Sequence, residues 1–305
     1  MFFIGDLIKA KRVELGLTQS YLNKHFHYSD TFFSKIESGK VEIPTSILPE
    51  LSNILNVDLK HIYMHSHIFS NYSEYNLYFQ LNNAINNADI IAMKAILNTI
   101  DDNYLSSLKE GELYYMIIYA NSLLLFFEDK YKSIEYCQSA LKININDIKD
   151  LNIMYDRQIA VYTILIAALF DCNKISESFT ISTLLTDYMC SKNQSIASYS
   201  EHTFEFQTMQ MAVINNHAHM LYKLHKYKDS IYYCEYAISL MSNSIMHKSM
   251  PLYKLKLENY IMLEEYDQTD ECISKLKTIS EYLNSPYWQE TECKLKNDYP
   301  HVFNT

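Results

Sequence analysis

The sequence predicts an all-α chain, and three observations predict it. Only four glycines and five prolines interrupt 305 residues, too few breakers for a fold of tight turns and strands. Apolar residues recur three and four apart, the spacing of one helix face. A local unit, an aromatic turn followed by an amphipathic helix with small inward residues, returns several times in the later part of the chain. Hydrophobic residues make up 48% of the chain. That fraction supports a sizeable core and excludes global disorder. The length suits one small and one larger domain.

The first 65 residues divide into five short helices. Helix one covers about Ile4–Leu15, with Leu7, Ile8, Lys11 and Leu15 at helical spacing and Gly16 as the stop. Thr18 caps helix two, about Gln19–Phe26. After a short turn at His27 and Tyr28, Ser29 or Asp30 caps helix three, which ends at Ser38-Gly39. Pro44 and Thr45 open helix four, whose apolar face is Ile47, Leu48, Leu51, Ile54 and Leu55. Asp58 opens helix five, Leu59–His65. These elements set a first domain at residues 1–66. A linker follows across 67–75, and a second domain spans 72–305.

The second domain reads as paired helices of 12–18 residues. Lys130-Tyr131 is followed by Ile134, Cys137, Ala140 and Leu141. Lys226-Tyr227 is followed by Ile231, Cys234, Ala237 and Ile238. Glu265-Tyr266 precedes Cys272 and Ile273, and a fainter copy joins Lys174-Ile175 to Phe179 and Leu184. Small side chains on such a helix let its neighbour approach, as in the second helix of a tetratricopeptide hairpin. The spacings between turns are irregular and longer than the regular repeat, so the repeats are degenerate. About five are expected, the first at Tyr72–Ile100, with a last helix near Tyr287–Asn297 as a cap.

Charge does not announce a function. The net charge is −10, yet residues 1–65 hold seven Lys/Arg (Lys9, Lys11, Arg12, Lys24, Lys35, Lys40, Lys60) and seven Asp/Glu (Asp6, Glu14, Asp30, Glu37, Glu42, Glu50, Asp58). That segment is neutral, and the acidity lies in the remainder. The six cysteines are far apart, without a CxxC pair, and Cys137, Cys234 and Cys272 repeat at one structural position as small core residues. The start meets charge at Asp6, unlike a secretory leader. The most apolar stretch, Tyr119–Phe127, is too short to span a bilayer. The expectation is a reduced, soluble, cytoplasmic protein without membrane contact. The 27 tyrosines suit either core or groove, since a phenol buries its ring while its hydroxyl finds a partner.

One motif carries more. Leu17-Thr18-Gln19-x-x-Leu22, then Phe32-Phe33-Ser34-Lys35-Ile36-Glu37-Ser38-Gly39, then Pro44, then Leu51-x-x-Ile54-Leu55-Asn56-Val57, resembles the Cro/repressor-like (XRE) helix-turn-helix family over residues 4–65. The resemblance implies a five-helix, lambda-repressor-like domain that places helix three in the major groove of double-stranded DNA. Ser29, Asp30, Thr31 and Phe32 at its start and Lys35 one turn on then face base edges or the adjacent backbone. Gln19 matches the position that contacts phosphate, and Lys40 adds a charge in the following loop. Asp30 and Phe32 stand where the family often has Gln or Ser. Asp30 could accept from a cytosine amine or merely cap the helix, and Phe32 could touch a thymine methyl or be partly buried. Ile36, Leu22, Leu51 and Ile54 are core, and Glu37 holds the fold through a local hydrogen bond.

A helix-turn-helix followed by degenerate tetratricopeptide hairpins resembles the PlcR/PrgX/Rgg family of peptide-pheromone receptors, with the nearest local likeness to its PlcR branch. Asn216-His217-Ala218-x-x-Leu221-Tyr222, with Tyr227 and Ser230-Ile231, resembles a repeat of that family. Leu252-Tyr253, Glu258 and Leu263-Glu264 do so more loosely. The resemblance implies a right-handed superhelix of hairpins that binds a short signalling peptide, with asparagine amides clamping the peptide backbone. Asn216 matches such a position, or is a surface asparagine in an Asn-rich chain. Asn121, Gln158, Gln207, Tyr222, Tyr253 and Asn259 are groove candidates by position only. A homodimer is expected, since a neutral head makes few phosphate contacts alone.

Other constellations do not point to a site. His61, His65 and His67 have metal-like spacing without a cysteine or carboxylate partner, and His217, His219 and His225 lack a matched set. No P-loop, GxGxxG, GxSxG or HExxH occurs. The expectation is no enzyme, no cofactor and no metal. The alternative function is a helix-turn-helix regulator or scaffold whose array binds a protein partner and no peptide.

Overall fold

The computed structural model describes residues 4–59, 62–63, 69–192, 202–241 and 249–300. Its regular elements are helical. In the head these are α1 (Ile4–Glu14), α2 (Gln19–His25), α3 (Phe32–Glu37) and α4 (Leu48–Leu55), the last entered through a 3-10 turn at Thr45–Ile47. Leu59, Ile62 and Tyr63 continue in helical conformation, and Leu59 and Ile62 are buried. The remainder of the expected fifth helix, with His61 and His65, lies outside the described residues, as does His67.

Then come α5 (Tyr72–Asn86), α6 (Ile90–Leu97), α7 (Asp102–Ser107), α8 (Glu112–Glu128), α9 (Lys130–Leu141), α10 (Asp156–Asp171), α11 (Ile175–Lys192), α12 (His202–Lys223), α13 (Tyr227–Ser239), α14 (Ser249–Met262), α15 (Tyr266–Tyr282) and α16 (Tyr287–Asp298). The chain falls into two compact units, 1–124 and 125–305. The boundary between these units lies inside α8. The reason is apolar packing: one continuous core runs from Ile8, Leu22 and Leu51 in the head to Leu81, Met93 and Met116 in the helices that follow.

Helix ends explain the scarcity of glycine. After α10 the amide of Asn173 donates to Phe170 and that of Lys174 to Leu169. The same paired bonds close α12 through His225 and Lys226, and α14 through Glu264 and Glu265. This Schellman closure needs a left-handed residue. Gly16 (φ +67), Gly39 (φ +66), His27 (φ 57) and Asn56 (φ 49) supply it in the head, while Ala88, Lys142, Asn173, His225, Glu264 and Asn284 supply it later at φ from 48 to 60. Helix starts are capped by side chains: Thr18 accepts from the Tyr21 amide, Asp89 from Ala92, and Asp129 from Tyr131 and Lys132.

In the second unit each helix from α9 to α16 packs on the next, and α10, α12 and α14 also lie side by side. That is the arrangement of tetratricopeptide hairpins, in which first helices form one face. The fourth residue of each second helix is a buried hydroxyl. Ser178 Oγ donates to the carbonyl of Ile166 and Ser230 Oγ to that of Ala218, both at 2.8 Å and both twelve residues back. Cys137 and Cys234 are fully buried four residues beyond the corresponding serine. Cys272 is also buried but sits one residue earlier in its helix, a departure from the single position expected for the three.

Candidate functional site

In the head, α3 is held by three internal devices. Gly5 of α1 lies so close to α3 that a Cβ there would stand 2.3 Å from the carbonyl oxygen of Ile36. Only glycine permits that crossing. Asn23 of α2 is fully buried. Its Nδ2 donates to the Asp30 carbonyl at 2.7 Å, and its Oδ1 accepts from the Phe33 amide at 3.0 Å. This carboxamide caps α3 from another helix. It is the physical reason that α3 begins at Phe32 and that neither Ser29 nor Asp30 caps it, contrary to the sequence expectation; the N-cap position is Thr31, without a side-chain bond. Finally, Arg12 clamps Glu37 through Nε (2.6 Å) and Nη2 (2.9 Å), and its Nη1 donates to the Leu17 carbonyl at 2.8 Å. The hydrogen bond with Glu37 raises the Arg12 pKa above its ordinary value.

The seven DNA candidates share this part of the head but differ in availability. Ser29, Asp30, Thr31, Lys35 and Lys40 are exposed. Gln19 is half-buried, and its Nε2 donates to Glu37 Oε2 at 2.7 Å, so the carboxamide nitrogen serves the clamp. Phe32 is half-buried and stacks on Tyr28, ring centroids 3.8 Å apart. Sequence reasoning missed Gly5 and Asn23. A glycine inside an amphipathic helix was the one available signal for the first, and none marked the second.

In the second unit, the α10 and α12 faces enclose a cleft of about 200 Å³. Ile166, Ala167, Phe170 and Met220 supply apolar lining; Thr163, Asp171, Asn216 and His219 supply polar groups. Thr163, Ile166, Ala167 and Phe170 are one stripe of α10; Asn216, His219 and Met220 are one stripe of α12. Asn216 is exposed, and its side chain makes no hydrogen bond to any described residue. His219 is exposed at the cleft rim, and partial desolvation, then Lys223, lowers its pKa from the ordinary value.

The other groove candidates lie elsewhere. Asn121 Nδ2 donates to the Ile117 carbonyl of its own helix at 3.1 Å. Gln158 is buried, and its Oε1 accepts from the Met154 and Tyr155 amides, closing the start of α10. Asn259 is fully buried; its Nδ2 donates to Ser230 Oγ and the Leu255 carbonyl, and its Oδ1 has no partner among the described residues. Tyr222 is half-buried with its hydroxyl 2.9 Å from that of Tyr299. Tyr253 is half-buried against the core of α14 and α15, and burial raises its pKa. The side chain of Gln207 lies outside the described residues. Of the six whose side chains are described, Asn216 lines the cleft and the other five do not.

Behind Asn216, His217 is buried between α11 and α13. Its Nδ1 is 2.9 Å from Ser182 Oγ, its ring stacks on Phe179 and meets Tyr233 edge-on. Burial, and then Lys226, lowers its pKa to about 4. No group of three or more His, Cys, Asp or Glu among the described residues could hold a metal ion, and no described helix is long and apolar enough to cross a membrane.

No protein-family model matches the sequence, and no curated protein matches it. Solved structures do resemble it. The crystal structure of Bacillus thuringiensis PlcR in complex with the peptide PapR7 and DNA is 17% identical and covers 95% of this chain and 98% of that one, with a TM-score of 0.57. The apo form of the competence regulator ComR from Streptococcus vestibularis is 15% identical and covers 97% and 98%, with a TM-score of 0.51. The chain therefore has the fold of PlcR and ComR, a helix-turn-helix head followed by tetratricopeptide-like hairpins.

Proposed function

We propose that this protein is a DNA-binding transcription regulator whose hairpin array binds a short signalling peptide, in the manner of quorum sensing, and that the peptide changes its binding to double-stranded DNA. The observation that carries the reading is Asn216: an unengaged carboxamide beside an apolar cleft between two first helices. An amide with one acceptor and two donors is suited to a peptide backbone, and the apolar lining to a side chain. The fold of PlcR, solved with a peptide and DNA, supports the reading. In the head, Ser29, Asp30 and Thr31 face base edges, while Lys35 and Lys40 face phosphate. We place the protein in the cytoplasm as a homodimer whose heads read half-sites about 34 Å apart, and assign it no catalytic chemistry.

The test is Asn216→Ala in the full chain, assayed by mobility shift on DNA from upstream of its own gene with the peptide fraction of spent medium. The variant should retain DNA affinity but require about tenfold more peptide fraction for the same response. A variant that responds like the parent would remove the cleft from the peptide site.

A further inference from the structure

A second cleft, of about 550 Å³, adjoins the first. Phe126, Phe127, Lys130, Tyr131 and Asp171 line it, and Asp171 lines the Asn216 cleft as well. Asp171 is the last residue of α10, where the helix dipole favours positive charge. Its Oδ2 receives a hydrogen bond from Lys130 Nζ at 2.5 Å, and the same ammonium stands 5.3 Å from the centre of the Phe126 ring. One cation thus meets a carboxylate and an aromatic face together, the combination by which proteins recognise ammonium and guanidinium groups. Two further aromatics stand beside it largely in solvent, Phe127 at 64% and Tyr131 at 61% exposure.

We infer that the cleft at Phe126 and Asp171 is a recognition subsite for a cationic side chain of the peptide, lysine or arginine, whose place Lys130 of the chain itself holds. The inference rests on the peptide reading of the Asn216 cleft. A ligand seated against Asn216 and extended along the end of α10 reaches Asp171 without leaving the lined surface. Lys130 and Asp171 are each about two-fifths exposed, and an ion pair so exposed contributes little net stability. Exchanging Lys130 for a ligand cation is therefore close to balanced, and Phe127 and Tyr131 add apolar contact that Lys130 alone leaves unused. The cleft also contains Glu128, so its ionic groups sum to net negative, and the chain's charge of −10 draws cations towards it.

The test uses two synthetic heptapeptide libraries with blocked ends and equal apolar composition, one carrying a single Lys or Arg and the other a Glu at the same position. Peptides retained by the full-length protein are counted by mass spectrometry. Basic peptides should be retained about tenfold over acidic ones. Asp171→Asn should abolish that preference, Phe126→Leu should reduce it severalfold, and Lys130→Gln should raise retention of basic peptides. Equal retention of both libraries by the parent, or a preference that survives both Asp171→Asn and Phe126→Leu, overturns the cation subsite and leaves the Asn216 cleft as a peptide site. Retention of neither library overturns both readings.

Discussion

Arg12 of α1 and Glu37 of α3 form a two-pronged ion pair, at 2.6 and 2.9 Å, with side chains only 11% and 3% exposed. The pair fixes α3 to α1, the helix that opens the described chain. Breaking a buried pair on one side costs about 3–5 kcal/mol, while replacing both charges by apolar groups costs far less. Arg12→Met and Glu37→Leu should each lower the melting temperature of the head sharply, and the double variant should recover much of the loss. A double-mutant cycle on thermal unfolding checks this; additive effects would contradict it.

Gly5→Ala should also destabilise the head, by less than deleting one charge of that pair. Its Cβ would stand 2.3 Å from a backbone oxygen of α3, so the helices must separate. Overpacking of this kind costs about 1–3 kcal/mol. Circular dichroism melts should show the loss, and DNA affinity should fall with it because α3 shifts.

Replacing a strained helix end should stabilise. Glu264 sits at φ 60, a conformation that penalises any residue with a Cβ by about 1–2 kcal/mol, partly offset by the unfolded-state freedom of glycine. Glu264→Gly should raise stability by about 0.5–1 kcal/mol. A chemical denaturation midpoint that falls would contradict the prediction.

Stability of the hairpin array should depend on pH through His217. Its pKa in the fold is lowered to about 4 from 6.5, so the unfolded chain binds the proton first. The associated stability is complete above pH 6.5 and is lost as pH falls towards 4, amounting to about 2 kcal/mol by pH 5. His217→Gln should flatten that slope in melts between pH 5 and 7.

The helices were legible because burying one face of a helix imposes its own spacing on the sequence. Leu22, Ile36 and Leu51, core by their spacing, are buried, whereas Glu37 holds the fold through Arg12 and Gln19, distant in sequence, rather than through the local hydrogen bond expected. What escaped was contact between residues distant in sequence. The α3 cap comes from Asn23 on another helix, and the close α1 crossing at Gly5 exists only once both helices are placed. Groove candidates chosen by polarity alone could not be sorted in advance. Gln158 closes a helix and Asn259 bonds Ser230, whereas Asn216 faces a cleft, and burial in three dimensions makes that distinction.

The central claim is that the head binds DNA and the array regulates it. The most direct measurement is a salt-dependent mobility shift of the purified chain on DNA upstream of its own gene, with and without peptides from spent medium. The account predicts sequence-specific binding that weakens with salt, a slope reduced by about one in Lys35→Ala or Lys40→Ala, and a change on adding the peptide fraction. Absence of binding at low salt in a folded, dimeric sample would contradict it.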